Sequence, residues 1–125
     1  MPDMIPIYGE TDGSSTTGTF DLDSEWFENA VSSIKIDKGL SAKLWIFEIA
    51  GKAVDVIVQY STDGGSSWST LKRISLPSDG SIDIDHRKPI IVTAKNDNTY
   101  IRLTWSQSTA GVSGVSGVIE FDNAR

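Results

Sequence analysis

Period-two alternation of apolar and polar residues constrains this chain more than any other feature. In VDVIVQY, residues 54–60, Val54, Val56, Val58 and Tyr60 fall on one side and Asp55 and Gln59 on the other. In TYIRLTW, residues 99–105, Ile101, Leu103 and Trp105 oppose Tyr100, Arg102 and Thr104. Ile34 and Ile36 alternate with Ser33 and Lys35, and the runs PIIVTA and GVIEF read as further strands. A helix would scatter these residues around its circumference. A strand sorts them onto two faces, and the β-branched and aromatic content suits a pleated, half-buried surface. Between the runs lie turn clusters rich in Gly, Asp and Asn, at Asp37, Ala50, Thr62, Pro77 and Asn96. The pattern predicts an all-β fold: a single antiparallel β-sandwich of jelly-roll type with about seven to nine strands. Residues 1–125 make one such domain, with 1–19 as an N-terminal arm or loop.

The inward residues read from this alternation are Ile34, Ile36, Trp45, Phe47, Val56, Val58, Ile101, Leu103, Trp105 and Phe121. KLWIFEIA, residues 43–50, is less regular. Leu44 and Ile46 face one way and Trp45, Phe47 and Ile49 the other, as in a strand covered on both sides or one whose outer face meets a partner. A buried Trp45 would cost about 3–5 kcal/mol when cut to alanine. DSEWFENA, residues 23–30, is either a short helical turn capped by Ser24 or an extended segment. ETDGSSTTGT reads as a polar loop. STAGVSGVSGV, residues 108–118, repeats Gly-Val-Ser with period three, which fits neither regular element; it reads as a long edge loop or as a surface packed on another subunit.

Charge narrows the partners. The net charge is -6, a field that repels phosphate backbones, and the pairs Lys72-Arg73 and Arg87-Lys88 make no basic face, so nucleic acid is not expected. The chain has no cysteine, which removes disulfides and thiolate metal sites. It has no apolar run of membrane-spanning length and no recognisable signal segment, so a membrane partner is not expected.

Ser61, Asp63, Gly65 and Trp68, within STDGGSSW, follow the spacing Ser-x-Asp-x-Gly-x-x-Trp. Asp63 is placed to accept turn amides, Gly65 to take a left-handed conformation, and Trp68 to cover the hairpin base. The stretch resembles the Asp-box hairpin of sialidases, where such boxes recur once per propeller blade, away from the catalytic pocket. Here it occurs once, and the arginine triad and tyrosine nucleophile of that family have no counterpart, so the resemblance implies a structural turn. More broadly, residues 54–71 look like the hairpin of galactose-binding-like jelly rolls and fibronectin type III domains, which implies a sandwich and carries over no ligand residue.

Catalytic chemistry finds little support. His86 stands in DIDHRKP with Asp83 and Asp85, but on a strand the two aspartates share a face and the histidine opposes them. Asp21, Asp23 and Glu25 lack the glycine and terminal glutamate of a known calcium loop. No serine elbow serves the histidine, and no cofactor motif is present, so neither enzyme activity nor a cofactor is expected. Three functions stay open: a structural subunit of an assembly such as a virion decoration, head-fibre or tail-associated protein; a carbohydrate-binding module stacking sugars on Trp26, Trp45 or Trp105; and a small hydrolase. The first leads. The arm MPDMIPIYGE offers Met4, Ile5, Ile7 and Tyr8 to another subunit, and its prolines hold the backbone extended. On that reading the protein is an oligomer, made in the cytoplasm without a signal peptide for a virion or other extracellular assembly, with a glycan as the alternative ligand.

Overall fold

The computed structural model describes residues 4–85 and 87–123. Two five-stranded antiparallel sheets enclose one core. The strands are β1 (Met4–Glu10), β2 (Thr17–Thr19), β3 (Ile34–Ile36), β4 (Leu40–Gly51), β5 (Val54–Ser61), β6 (Ser69–Leu76), β7 (Gly80–Asp83), β8 (Ile90–Thr93), β9 (Thr99–Ser106) and β10 (Ser113–Asn123). Sheet A runs β1-β10-β4, with β7 and β8 pairing different stretches of β4's far edge. Sheet B runs β9-β5-β6, with β2 and β3 sharing the free edge of β9. The all-β antiparallel sandwich is thus the fold. Its ten strands exceed the expected number because one edge of each sheet is assembled from two short strands in line. Among the described residues there is no helix, and none long and apolar enough to cross a membrane. At 24–27 the chain makes only a turn: Phe27 N donates to the Ser24 carbonyl at 3.1 Å, and Ser24 Oγ accepts from Trp26 N at 3.2 Å.

The core joins Val56, Val58, Ile101, Leu103 and Trp105 of sheet B to Ile7, Leu44, Ile46, Ile49, Val115 and Ile119 of sheet A. Phe20 and Leu22, between β2 and β3, close one end. Trp105 is 5% exposed and meets Phe20 edge to face, ring centroids 5.1 Å apart. Gly18 makes room for it, because a Cβ there would overlap the indole.

Strand β4 corrects the expected register. Trp45 is half-buried and Phe47 is 39% exposed, while Ala42, Leu44 and Ile46 point inward. The reason is a bulge: Gly117 opposes Ile46 and Ser116 opposes Glu48, leaving Phe47 as the extra residue. Beyond it the parity changes and Ile49 becomes the inward residue. Strict alternation cannot foresee one inserted residue, and it followed the larger side chains onto the wrong face. Phe121 is half-buried against the core rather than inside it.

Two segments read as peripheral are structural. Residues 4–10, expected within an N-terminal arm, form β1, which pairs with β10 along its whole length, from Met4 opposite Glu120 to Glu10 opposite Gly114. Residues 17–19 likewise join β9. The apolar residues of β1 serve its own sheet, Ile7 entering the core and Ile5 packing against it. The Gly-Val-Ser repeat is not a loop beyond residue 112 but the body of β10, central in sheet A. Its small residues fit the close approach at the bulge, where a Cβ on Gly117 would overlap the Trp45 carbonyl. Residues 107–113 are pinned by a polar cluster. Thr11 Oγ1 donates to the Gly111 carbonyl at 2.7 Å, Ser113 Oγ donates to the Lys52 carbonyl at 2.6 Å, and Gln107 Nε2 donates to Ser113 Oγ at 3.0 Å.

Candidate functional site

The outer face of sheet A gathers the surface features that sequence reading had scattered. Inward parity of Val115, Gly117 and Ile119 on β10 turns Gly114, Ser116 and Val118 outward. These side chains are short. On the flanking strands longer side chains point outward, Tyr8 and Glu10 on β1 and Trp45 and Glu48 on β4, together with the shorter Pro6 and Ala50. A trough results, with β10 as floor and β1 and β4 as walls. Its upper part is a shallow depression of about 210 Å³ lined by Tyr8, Glu10, Glu48, Gly114 and Ser116. Register places Tyr8, Ser116, Glu48 and Asp83 in one row across four strands, and Pro6, Val118 and Trp45 in the next. With neighbouring strands about 4.8 Å apart, Tyr8 and Glu48 stand roughly 10 Å apart across the trough.

Tyr8 is 53% exposed and held at its base. Its backbone exchanges hydrogen bonds with Asp23 at 3.0 and 2.8 Å, and its hydroxyl donates to Asp23 Oδ2 at 3.4 Å. The Asp23 carboxylate beside it, followed by slight desolvation and this hydrogen bond, pushes the phenol pKa upward, so the hydroxyl keeps its proton. At the lower end Lys43 lies 4.0 Å from Glu120 and 3.8 Å from Asp122, leaving the face acidic. Ionised carboxylates accept hydrogen bonds and Ser116 offers a hydroxyl, while Tyr8 and Trp45 present partly apolar rings. The face thus sets hydrogen-bond acceptors and one hydroxyl beside partly apolar ring surface.

The residues singled out in sequence divide between the two sheets. Tyr8 belongs to the trough wall and Met4 to its exposed lower end, whereas Ile5 and Ile7 point inward. Of the tryptophans considered for sugar stacking, Trp45 flanks the trough, Trp26 is 55% exposed on the neighbouring turn, and Trp105 is buried. Ser61, Asp63, Gly65 and Trp68 close the β5–β6 hairpin in sheet B. Ser61 Oγ is buried at the centre, donating to Asp63 Oδ1 at 2.7 Å and accepting from Gly65 N at 2.9 Å. Asp63 Oδ1 accepts from Ser67 N at 2.9 Å and Oδ2 from the Ser67 hydroxyl. Gly65 has φ +97°, and Trp68, half-buried, donates from its indole to the Gly65 carbonyl at 3.1 Å. These hydrogen bonds, the Ser67 hydroxyl's first, hold the Asp63 pKa down from 3.8 to about 2. A lowered carboxylate pKa stabilises the fold above its unfolded value, and that contribution is lost as pH falls through the folded value. The melting-temperature advantage of wild type over Asp63→Asn is therefore expected to be full above about pH 4 and to shrink toward pH 2. A gap unchanged across that window would show that the carboxylate charge does not serve the turn.

Sequence reasoning missed Glu10, Glu48, Ser116 and the floor glycine Gly114. The signal was present in the alternation of small residues along 114–118, but its meaning depended on β10 lying between β1 and β4. Among the described residues no three carboxylates or histidines group to hold a metal; His86 lies outside the described residues.

No family model matches the chain, and no curated protein matches it. Among solved structures it is similar to the carbohydrate-binding module TmCBM61 in complex with β-1,4-galactotriose, at 9% identity and TM-score 0.44, over 94% of this chain and 88% of that one. It is also similar to the Glycosylation Associate Protein (Gap123) complex from Streptococcus agalactiae, at 9% identity and TM-score 0.40, over 98% of this chain and 26% of that one. The strand pairing, not these distant likenesses, defines the fold.

Proposed function

We propose that the protein is a non-catalytic glycan-binding module that holds a neutral sugar chain along the trough of sheet A. The observation that carries this reading is the row of Tyr8, Ser116 and Glu48 over a floor of small residues, with Trp45 in the adjoining row. A pyranose laid on β10 sets its apolar face against Tyr8 or Trp45, and its hydroxyls meet Glu48, Glu10 and Ser116. The open, shallow shape suits an extended polymer better than an enclosed small molecule. Binding is the chemistry this reading assigns to the row, in which Ser116 stands beside Glu48 and Glu48 beside Asp83.

Calorimetry with neutral oligosaccharides, β-1,4-galactotriose and cellotriose among them, tests the proposal. Tyr8→Ala is expected to weaken binding about tenfold or more while leaving the melting temperature near wild type, as for an exposed aromatic anchor. Wild-type affinity in Tyr8→Ala, or no binding to any neutral glycan, would refute it.

One observation favours a second reading, a structural subunit of a larger assembly such as a virion. Met4, Phe47 and Ile91 are exposed apolar residues of sheet A. They would bury themselves if a second protein covered the face, and light scattering would then report an oligomer. The original basis for this reading was a strand offered to another chain, and β1 instead pairs within its own sheet.

A further inference from the structure

The outer face of sheet B carries a cation that the fold positions and does not neutralise. Register sets Arg102 of β9 opposite Gln59 of β5, and Gln59 opposite Thr70 of β6. Arg102 Nε donates to Gln59 Oε1 at 2.9 Å, and Gln59 Nε2 donates in turn to Thr70 Oγ1 at 3.3 Å. The guanidinium carbon lies 4.0 Å from the Trp68 ring centroid. Its plane is therefore fixed by a hydrogen bond at one edge and an indole beneath. Arg73 on the same sheet is engaged differently, in an ion pair with Asp55 at 3.1 Å. Among the described residues Arg102 has no carboxylate within ion-pair distance, and its hydrogen bonding is confined to Nε. Asp63, in the adjoining turn, is committed to Ser61 and Ser67. In a chain of net charge -6, an arginine so fixed and without a counter-ion calls for an explanation.

We propose that Arg102 anchors a second binding site, on the face opposite the trough, for the carboxylate of a uronic-acid unit in a glycan. Two terminal nitrogens of a guanidinium match the two oxygens of a planar carboxylate, and a pre-fixed fork loses little freedom on binding. Outward neighbours on the sheet are Thr70, Tyr100 and Thr104, side chains able to hydrogen-bond a hydroxyl-bearing ring. Lys35, opposite Tyr100 on β3, adds positive charge to the same face. A short uronate carries few charges into the acidic field of the whole protein, where a long polyanion would carry many. The site is independent of the trough, since it uses the other sheet.

The test is calorimetric titration with trigalacturonic acid and with galactotriose, a related neutral trisaccharide. It uses wild type, Arg102→Gln, Arg102→Lys and Tyr8→Ala, with each fold checked by thermal melting. Trigalacturonate affinity is expected to fall about tenfold in Arg102→Gln and several-fold in Arg102→Lys, which keeps the charge but loses the fork. It should be unchanged in Tyr8→Ala, and galactotriose binding should not respond to Arg102. Absence of trigalacturonate binding to wild type, undiminished binding in Arg102→Gln, or loss in Tyr8→Ala instead would each overturn the proposal. If Arg102→Gln melts early because Trp68 loses its cover, Arg102→Lys decides. Wild-type melting with wild-type uronate affinity in that variant also overturns it.

Discussion

Gly117→Val is expected to cost about 3 kcal/mol or more and to lower the melting temperature by on the order of 10 °C. Gly117 sits where β10 crosses the bulge of β4, and any Cβ would overlap the backbone carbonyl of Trp45. A flexible side chain can move aside, but a carbonyl in a central strand moves only with the strand. The carbonyl belongs to the β4 wall of the trough and Gly117 to its floor strand, so the same substitution should also weaken glycan binding in whatever fraction stays folded. Gly114→Ala is the control: the nearest atoms to a Cβ there are 3.6 and 3.8 Å away, an ordinary contact. Its stability change should stay within about 0.5 kcal/mol, as for a substitution that disturbs no packing. Equal destabilisation by the two would mean that the bulge is misplaced.

The second large effect is at Trp105. Trp105→Ala is expected to cost about 3–5 kcal/mol, because it removes a buried indole together with its edge-to-face contact with Phe20. Trp45→Ala should cost only about 1 kcal/mol, since its ring is half in solvent, but it should reduce glycan affinity. The pair separates the two roles: one tryptophan builds the core and the other serves the surface. Urea unfolding of both variants checks this, and a Trp45→Ala cost as large as that of Trp105→Ala would restore the register that strict alternation implies.

How much of this was legible in the sequence follows from what each residue answers to. The inward faces of β5 and β9 were readable because both are central strands with uninterrupted alternation, so Val56, Val58, Ile101, Leu103 and Trp105 sort themselves. The hairpin turn was readable because its hydrogen bonds are local: Ser61, Asp63, Gly65 and Trp68 satisfy one another within eight residues. Strand β4 was misread because one bulged residue reverses parity, and the cause lies 70 residues away at Gly117. GVIEF reads as a strand and is the second half of β10, but residues 113–116 read as an edge loop or a packing surface because glycine and serine have low strand propensity, which the central place of β10 between two partners overrides. The trough was invisible for the same reason: it exists only once β1, β10 and β4 lie side by side. Arg102 was assigned to the outer face correctly, but its isolation from every carboxylate is a property of the fold.

Chemical-shift mapping during titration of a neutral oligosaccharide into the labelled protein tests the trough most directly. If the sugar chain lies along β10, the amides of Tyr8, Glu48, Gly114 and Ser116 and the Trp45 indole shift together and saturate with one affinity, while Gln59, Thr70 and Arg102 on the opposite face stay still. Shifts confined to sheet B, or none anywhere at millimolar sugar, would contradict glycan binding on sheet A.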